Sequence, residues 1–138
     1  MSMKKFTLSI GLIGLSLGFL LCSSQIQGQI QQETKSGELK AAARSLIDLL
    51  ASGDFAAAER KFDEGMKTGL PQDKLEAAWK SVVSQYGPLK KQVSIRQGKV
   101  EAYDVIEIKC EFEKDFLTTR VAFNEQGKIS GLFFVPVK

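Results

Sequence analysis

From Gly37 onward the apolar residues Leu39, Ala42, Ala43, Leu46, Ile47 and Leu50 recur at helical spacing, while Lys40, Arg44 and Asp48 fall largely off that stripe. The pattern predicts an amphipathic helix. Gly53 reads as its left-handed cap. Asp54 follows as the capping carboxylate of a second helix, with Phe55, Ala58, Phe62 and Met66 on its buried stripe and Gly69 at its end. Pro71 opens a third helix, where a fixed φ and a missing N–H cost nothing. Leu75, Ala78, Trp79, Val82, Val83 and Tyr86 line one face of it until Gly87-Pro88 stops it.

After Pro88 the period changes to two. Leu89, Val93 and Ile95 alternate with Lys90, Gln92, Ser94 and Arg96, and residues 98–102 read as a connection. Ile106, Ile108, Cys110 and Phe112 then alternate with Glu107, Lys109, Glu111 and Glu113, which predicts a strand with one buried and one wet face. Taking Lys114-Asp115 as a two-residue turn sets Phe112 opposite Leu117, Cys110 opposite Thr119, Ile108 opposite Val121 and Ile106 opposite Phe123. Glu125-Gln126-Gly127 reads as a three-residue turn with glycine at the positive-φ seat. It sets Phe123 opposite Ile129, Val121 opposite Gly131, Thr119 opposite Phe133 and Leu117 opposite Val135. Helices followed by an antiparallel meander give an α+β fold: three N-terminal helices packed on a four-stranded sheet.

The N-terminus departs from this pattern. Lys4 and Lys5 precede an apolar run from Phe6 to Leu21. A charged start and a short apolar stretch are the marks of an export signal, and the run is short of the roughly 20 residues a membrane span needs. The chain therefore divides into a signal peptide over 1–28, a polar linker over 29–36 and one α+β domain over 37–138. Cleavage after Ser24 or Gly28 gives a secreted or periplasmic protein with no membrane span in the mature form. Lipidation at Cys22 is an alternative, but Leu21 stands where a lipoprotein signal wants a small residue; an uncleaved anchor is the other.

Composition excludes more than it assigns. The chain has 19 basic and 16 acidic residues and no histidine. Near-neutral charge without a basic stripe argues against nucleic acid as a partner. Without histidine there is no Ser-His-Asp or Cys-His arrangement and no His-based metal site, and Cys110 alone cannot form a thiolate cluster. No glycine-rich phosphate loop is present. The sequence therefore predicts no metal, no cofactor and no catalytic residue.

The residues Gly53-Asp54-Phe55, Phe62-Asp63, Met66-Lys67, Leu70-Pro71, Trp79, Gly87-Pro88-Leu89, Phe123-Asn124 and Gly127 to Leu132 resemble a family of uncharacterised exported bacterial domains, found alone or in front of an α/β-hydrolase. The order of elements resembles the nuclear transport factor 2-like superfamily, the cystatin-like α+β cone. That resemblance implies a curved, cone-like sheet and no assigned activity. Fold-level likeness does not supply a function.

Candidate chemistry is sparse. Trp79, Tyr86, Tyr103, Cys110, Thr119 and Phe133 are expected to face the interior and to line a pocket for a small apolar ligand. Buried among apolar neighbours, Cys110 is expected to be a small hydrophobe rather than a nucleophile. The same register turns Phe116, Ala122, Leu132, Phe134 and Pro136 outward. That makes the last strand apolar on both faces and predicts an interface, with self-association through the outer sheet face as its natural form. The reading is an exported non-catalytic domain that binds a protein partner, itself included, or a small apolar ligand. One alternative is a cofactor-free enzyme using Asp48, Asp63, Tyr86 or Tyr103 inside the cone. The other is an accessory domain of a separate exported hydrolase.

Overall fold

The computed structural model describes residues 32–137. The chain divides into a unit Met1–Gly37 and a unit Glu38–Lys138. Of the first, residues 32–37 are described and are helical. The linker expected over 29–36 is thus helix from residue 32, where no glycine or proline intervenes before Gly37 and the residues are mostly good helix formers. The export signal expected over 1–28 lies outside the described residues. Among the described residues no helix is long and apolar enough to cross a membrane.

Four helices precede the sheet among the described residues. They are α1 over 32–52, α2 Phe55–Glu59, α3 Glu64–Gly69 and α4 Gln72–Tyr86. Gly53 ends α1 at φ 83°. Asp54 caps α2 by accepting from Ala57 N at 3.2 Å. The single helix expected from Asp54 to Gly69 is broken in two. Ile129 N donates to Lys61 O at 3.0 Å, Asp63 N donates to Ile129 O at 2.9 Å, and Phe62 forms a parallel bridge with Ile129. A backbone paired with a strand cannot also continue a helix. Asp63 then starts α3, its Oδ1 accepting from Met66 N at 2.8 Å.

The strands β1 Leu89–Val100, β2 Tyr103–Phe112, β3 Phe116–Phe123 and β4 Ile129–Pro136 form one antiparallel sheet in sequential order. The α+β class and the four-stranded meander are as the periodicity predicts. The core joins Leu46, Ile47 and Leu50 of α1 and Leu75, Trp79 and Val82 of α4 to Ile106, Ile108, Phe112 and Phe123 of the sheet.

Three details of register differ from expectation, each for a tertiary reason. First, β2 and β3 pair two positions away, with Ile108 opposite Thr119 and Cys110 opposite Leu117. The hairpin tip is engaged elsewhere: Glu113 N donates to Pro88 O at 3.0 Å and Lys114 N to Tyr86 O at 2.8 Å. A slip of two preserves faces, so Ile106, Ile108, Cys110, Phe112, Leu117, Thr119, Val121 and Phe123 are all buried as expected.

Second, β1 carries irregularities between Leu89 and Lys91 and between Gln92 and Ser94. An extra residue turns the following side chains to the other face. Val93, expected inward, is 47% exposed, and Gln92 takes the inner seat opposite Cys110. β1 also continues through the expected connection to Val100 and turns at Glu101-Ala102.

Third, β4 bulges. Phe123 pairs with Ile129 as expected, but Ala122 pairs with Gly131, leaving Ser130 as the extra residue. Every later side chain of β4 changes face. Phe133, expected inward, lies on the outer face and is 55% exposed. Leu132 and Phe134, expected outward, pack against the core, and Pro136 joins their row opposite Leu117.

Candidate functional site

A groove forms where α1 ends, α2 begins and α4 passes the start of β1. Gly53 at positive φ turns the chain from α1 into α2, so Leu50, Ala51 and Ser52 meet Phe55 across the turn. On α4, Glu76, Trp79, Lys80 and Val83 follow at spacings that put them on one helix face. Gly87, at φ 81°, turns the chain so that Pro88 and Leu89 close the far side. Together these residues line an open cavity of about 540 Å³.

Its floor is the edge of the core itself. Leu50 is fully buried and Phe55 and Trp79 nearly so. Trp79 is held by tilted ring contacts to Phe112 at 5.9 Å and to Phe134 at 6.0 Å. Polar groups sit at the rim and are mutually engaged. Lys80 Nζ lies 2.9 Å from Glu76 Oε1, and Ser52 Oγ donates to Leu49 O at 3.0 Å. An apolar floor with a polar rim is suited to holding an apolar group and orienting its polar end.

Of the six pocket candidates, only Trp79 lines this groove. Tyr86 is half-buried with its ring 6.0 Å from that of Phe112. Cys110 and Thr119 are fully buried and adjacent, Sγ to Oγ1 at 3.9 Å, with Cys110 Sγ also 3.7 Å from Ile108 O. Burial pushes the Cys110 thiol up from its ordinary range, against a smaller lowering from Thr119. Tyr103 is exposed at the far end of the sheet, in a separate depression with Asn124, Glu125 and Gln126. Phe133 is on the outer face, so the six do not form one pocket.

The interface candidates also separate. Phe116 is outward, with Lys109 Nζ 4.8 Å from its ring centre. Ala122 is outward beside Gly131. Leu132, Phe134 and Pro136 belong to the inner row. Between the apolar parts of the outer face runs a charge ladder: Glu107 receives Arg96 Nη2 at 2.6 Å and Arg120 Nε at 3.0 Å. The hydrogen bond from Arg96 holds the Glu107 carboxyl below its usual range, with Arg120 adding to it.

The four groups considered for proton transfer have separate tasks. Asp48 accepts from Gln92 Nε2 at 3.0 Å and Asp63 from Ser130 Oγ at 2.5 Å. Tyr86 makes a tilted ring contact with Phe112, and Tyr103 is on the outer surface. Among the described residues no group of three Cys, Asp or Glu side chains is placed to hold a metal ion.

Sequence reasoning missed most of the groove. The spacing of Glu76, Trp79, Lys80 and Val83 is a signal that could have found one wall. The opposing wall depends on where two glycine turns aim the chain, and no periodicity records that.

Residues 43–132 match the model of a family described as protein of unknown function (DUF3887). No curated protein and no solved structure matches the chain.

Proposed function

This chain belongs to the DUF3887 family, and we propose that it is a non-catalytic binding domain whose groove takes the apolar part of a small amphipathic ligand. The observation that carries this reading is the open cavity of about 540 Å³ whose floor is the apolar edge of the core at Leu50, Phe55 and Trp79. A site on packed helices and a strand end is formed before the ligand arrives, which lowers the ordering cost of binding. The paired charges of Glu76 and Lys80 at the rim suit a ligand with one polar end. The order of helices and meander supports a relationship to the nuclear transport factor 2-like cone. The apolar run between Lys5 and Cys22 supports binding outside the cytoplasm, and the intact mass of the native product tests that part.

Trp79 is the chain's one tryptophan, so the groove reports on itself. Titration with 8-anilinonaphthalene-1-sulfonate is expected to quench Trp79 emission by energy transfer to bound dye. Ala51→Glu, at an exposed rim position, is expected to weaken that quenching with the unfolding midpoint unchanged. Equal quenching in both proteins, or none in either, would overturn the reading.

A further inference from the structure

The two edges of the sheet are built differently. β1 carries Lys90, Lys91, Arg96 and Lys99, no acidic residue, and two irregularities. Charge and bulges are the usual protection of an edge strand against pairing with another chain. Between its bulge at Ser130 and Pro136 at its end, β4 has neither from Gly131 to Val135. Between Lys128 and Lys138 there is no charged side chain. Among the described residues only its beginning is covered, where Ile129 pairs with Lys61 and Asp63. From Gly131 to Pro136, among the described residues, β4 is paired on the β3 side alone.

We propose that the free edge of β4 pairs antiparallel with the same edge of a second copy, so that two four-stranded sheets become one. The argument for a second copy is charge. An uncharged edge meets itself without repulsion, whereas β1 against β1 would set cation against cation. Side chains agree with this. A two-fold axis at Phe133 places Gly131 opposite Val135 of the other copy and the two Phe133 rings side by side on the outer face. Each ring is 55% exposed in the single chain and lies over Gly131. One strand pair of this length buries less than the roughly 1,600 Å² of a standard interface, so the dimer is weak and concentration-dependent. The inference uses an edge that the groove does not touch, so either can fail without the other.

Sedimentation velocity from about 10 μM to about 1 mM, the range in which such an interface associates, is expected to show monomer passing to dimer. Phe133→Glu sets a carboxylate opposite Arg120 within its own sheet and against its own copy across the axis. It is expected to weaken association about tenfold or more with the fold intact by circular dichroism. Val93→Glu, at an exposed position of the other edge, is expected to change nothing. Amide exchange of those residues in 131–135 whose N–H groups point away from β3 is expected to slow as concentration rises. Three results would each overturn the proposal: a monomer throughout, a dimer indifferent to Phe133→Glu, or concentration-independent protection of those amides in a monomer. The last would mean that the chain's own residues 1–31 cover the edge.

Discussion

Ser130 Oγ donates to Asp63 Oδ2 at 2.5 Å, joining the extra residue of the β4 bulge to the cap of α3 across 67 positions of sequence. The other oxygen of the same carboxylate accepts from Met66 N. One side chain therefore ends the bridge to the sheet, starts a helix and holds the bulge that decides which face every later residue of β4 presents. The hydrogen bonds from Ser130 and then Met66 hold the Asp63 carboxyl below its usual range, against a smaller opposing effect of burial.

Ser130→Ala removes a hydrogen bond to a charged group and is expected to cost about 2 kcal/mol. The pH dependence has a definite sign. A carboxyl lowered by folding contributes stability that is present above its unfolded value, near 3.9, and is lost as pH falls through the lower folded value. The gap between wild type and Ser130→Ala should therefore be full at neutral pH and shrink below about pH 4. Urea unfolding at several pH values measures it, and a gap that widens in acid would remove Asp63 from this role.

The bulge makes opposite predictions for two adjacent phenylalanines. Phe134 packs on Trp79, so Phe134→Ala should cost about 2 kcal/mol, less than the 3–5 of a fully buried ring, and shift Trp79 emission. Phe133→Ala should cost less than about 1 kcal/mol, as an exposed position does. Thermal unfolding with fluorescence separates the two. Reversal of their order would restore the unbulged register.

Gly53 and Gly87 have nearly the same φ, 83° and 81°, in different surroundings. A Cβ on Gly53 meets nothing within 4 Å, while one on Gly87 falls 2.7 Å from Glu113 Cβ. Glu113 cannot retreat, because it and Lys114 are hydrogen-bonded to Pro88 and Tyr86. Gly53→Ala should cost the strain of a left-handed residue, about 1 kcal/mol. Gly87, at φ 81° and ψ −177°, lies in a region open essentially to glycine alone, so Gly87→Ala should cost more strain than Gly53→Ala and add about 1–3 kcal/mol of overpacking. Equal midpoints would show that the hairpin tip is not held against the end of α4.

Cys110 is fully buried with its thiol raised by desolvation. In a Cys22→Ser background it should react with a disulfide reagent only on unfolding, with a rate that follows denaturant concentration rather than reagent concentration. Rapid reaction in native buffer would contradict its burial.

Cysteine and groove show how unevenly a site can be read from sequence. Cys110 was legible because its face depends on parity within β2, and the two-position slip against β3 left parity intact. Trp79 was legible as a helix-face aromatic. Its partner across the core was not: Phe134 reaches Trp79 only because Ser130 is bulged. Val93 was misplaced for the same reason, since an extra residue in β1 gives Gln92 the inner seat, where its amide donates to Asp48 and to Arg44 O. Such irregularities leave no mark in the alternation, because both faces of these strands contain apolar residues.

What the sequence determined by itself was local. Helical spacing, the glycine and aspartate caps and the two-residue period settle most of the stretches that become helices and strands, since each depends on residues a few positions apart. The tertiary structure decided which face each side chain of β1 and β4 presents, where the long predicted helix breaks, and hence which apolar residues are left at a groove or an edge. Those outcomes rest on backbone and side-chain hydrogen bonds between segments distant in sequence, Asp63 with Ser130 and Glu113 with Pro88, which form only once the chain has folded.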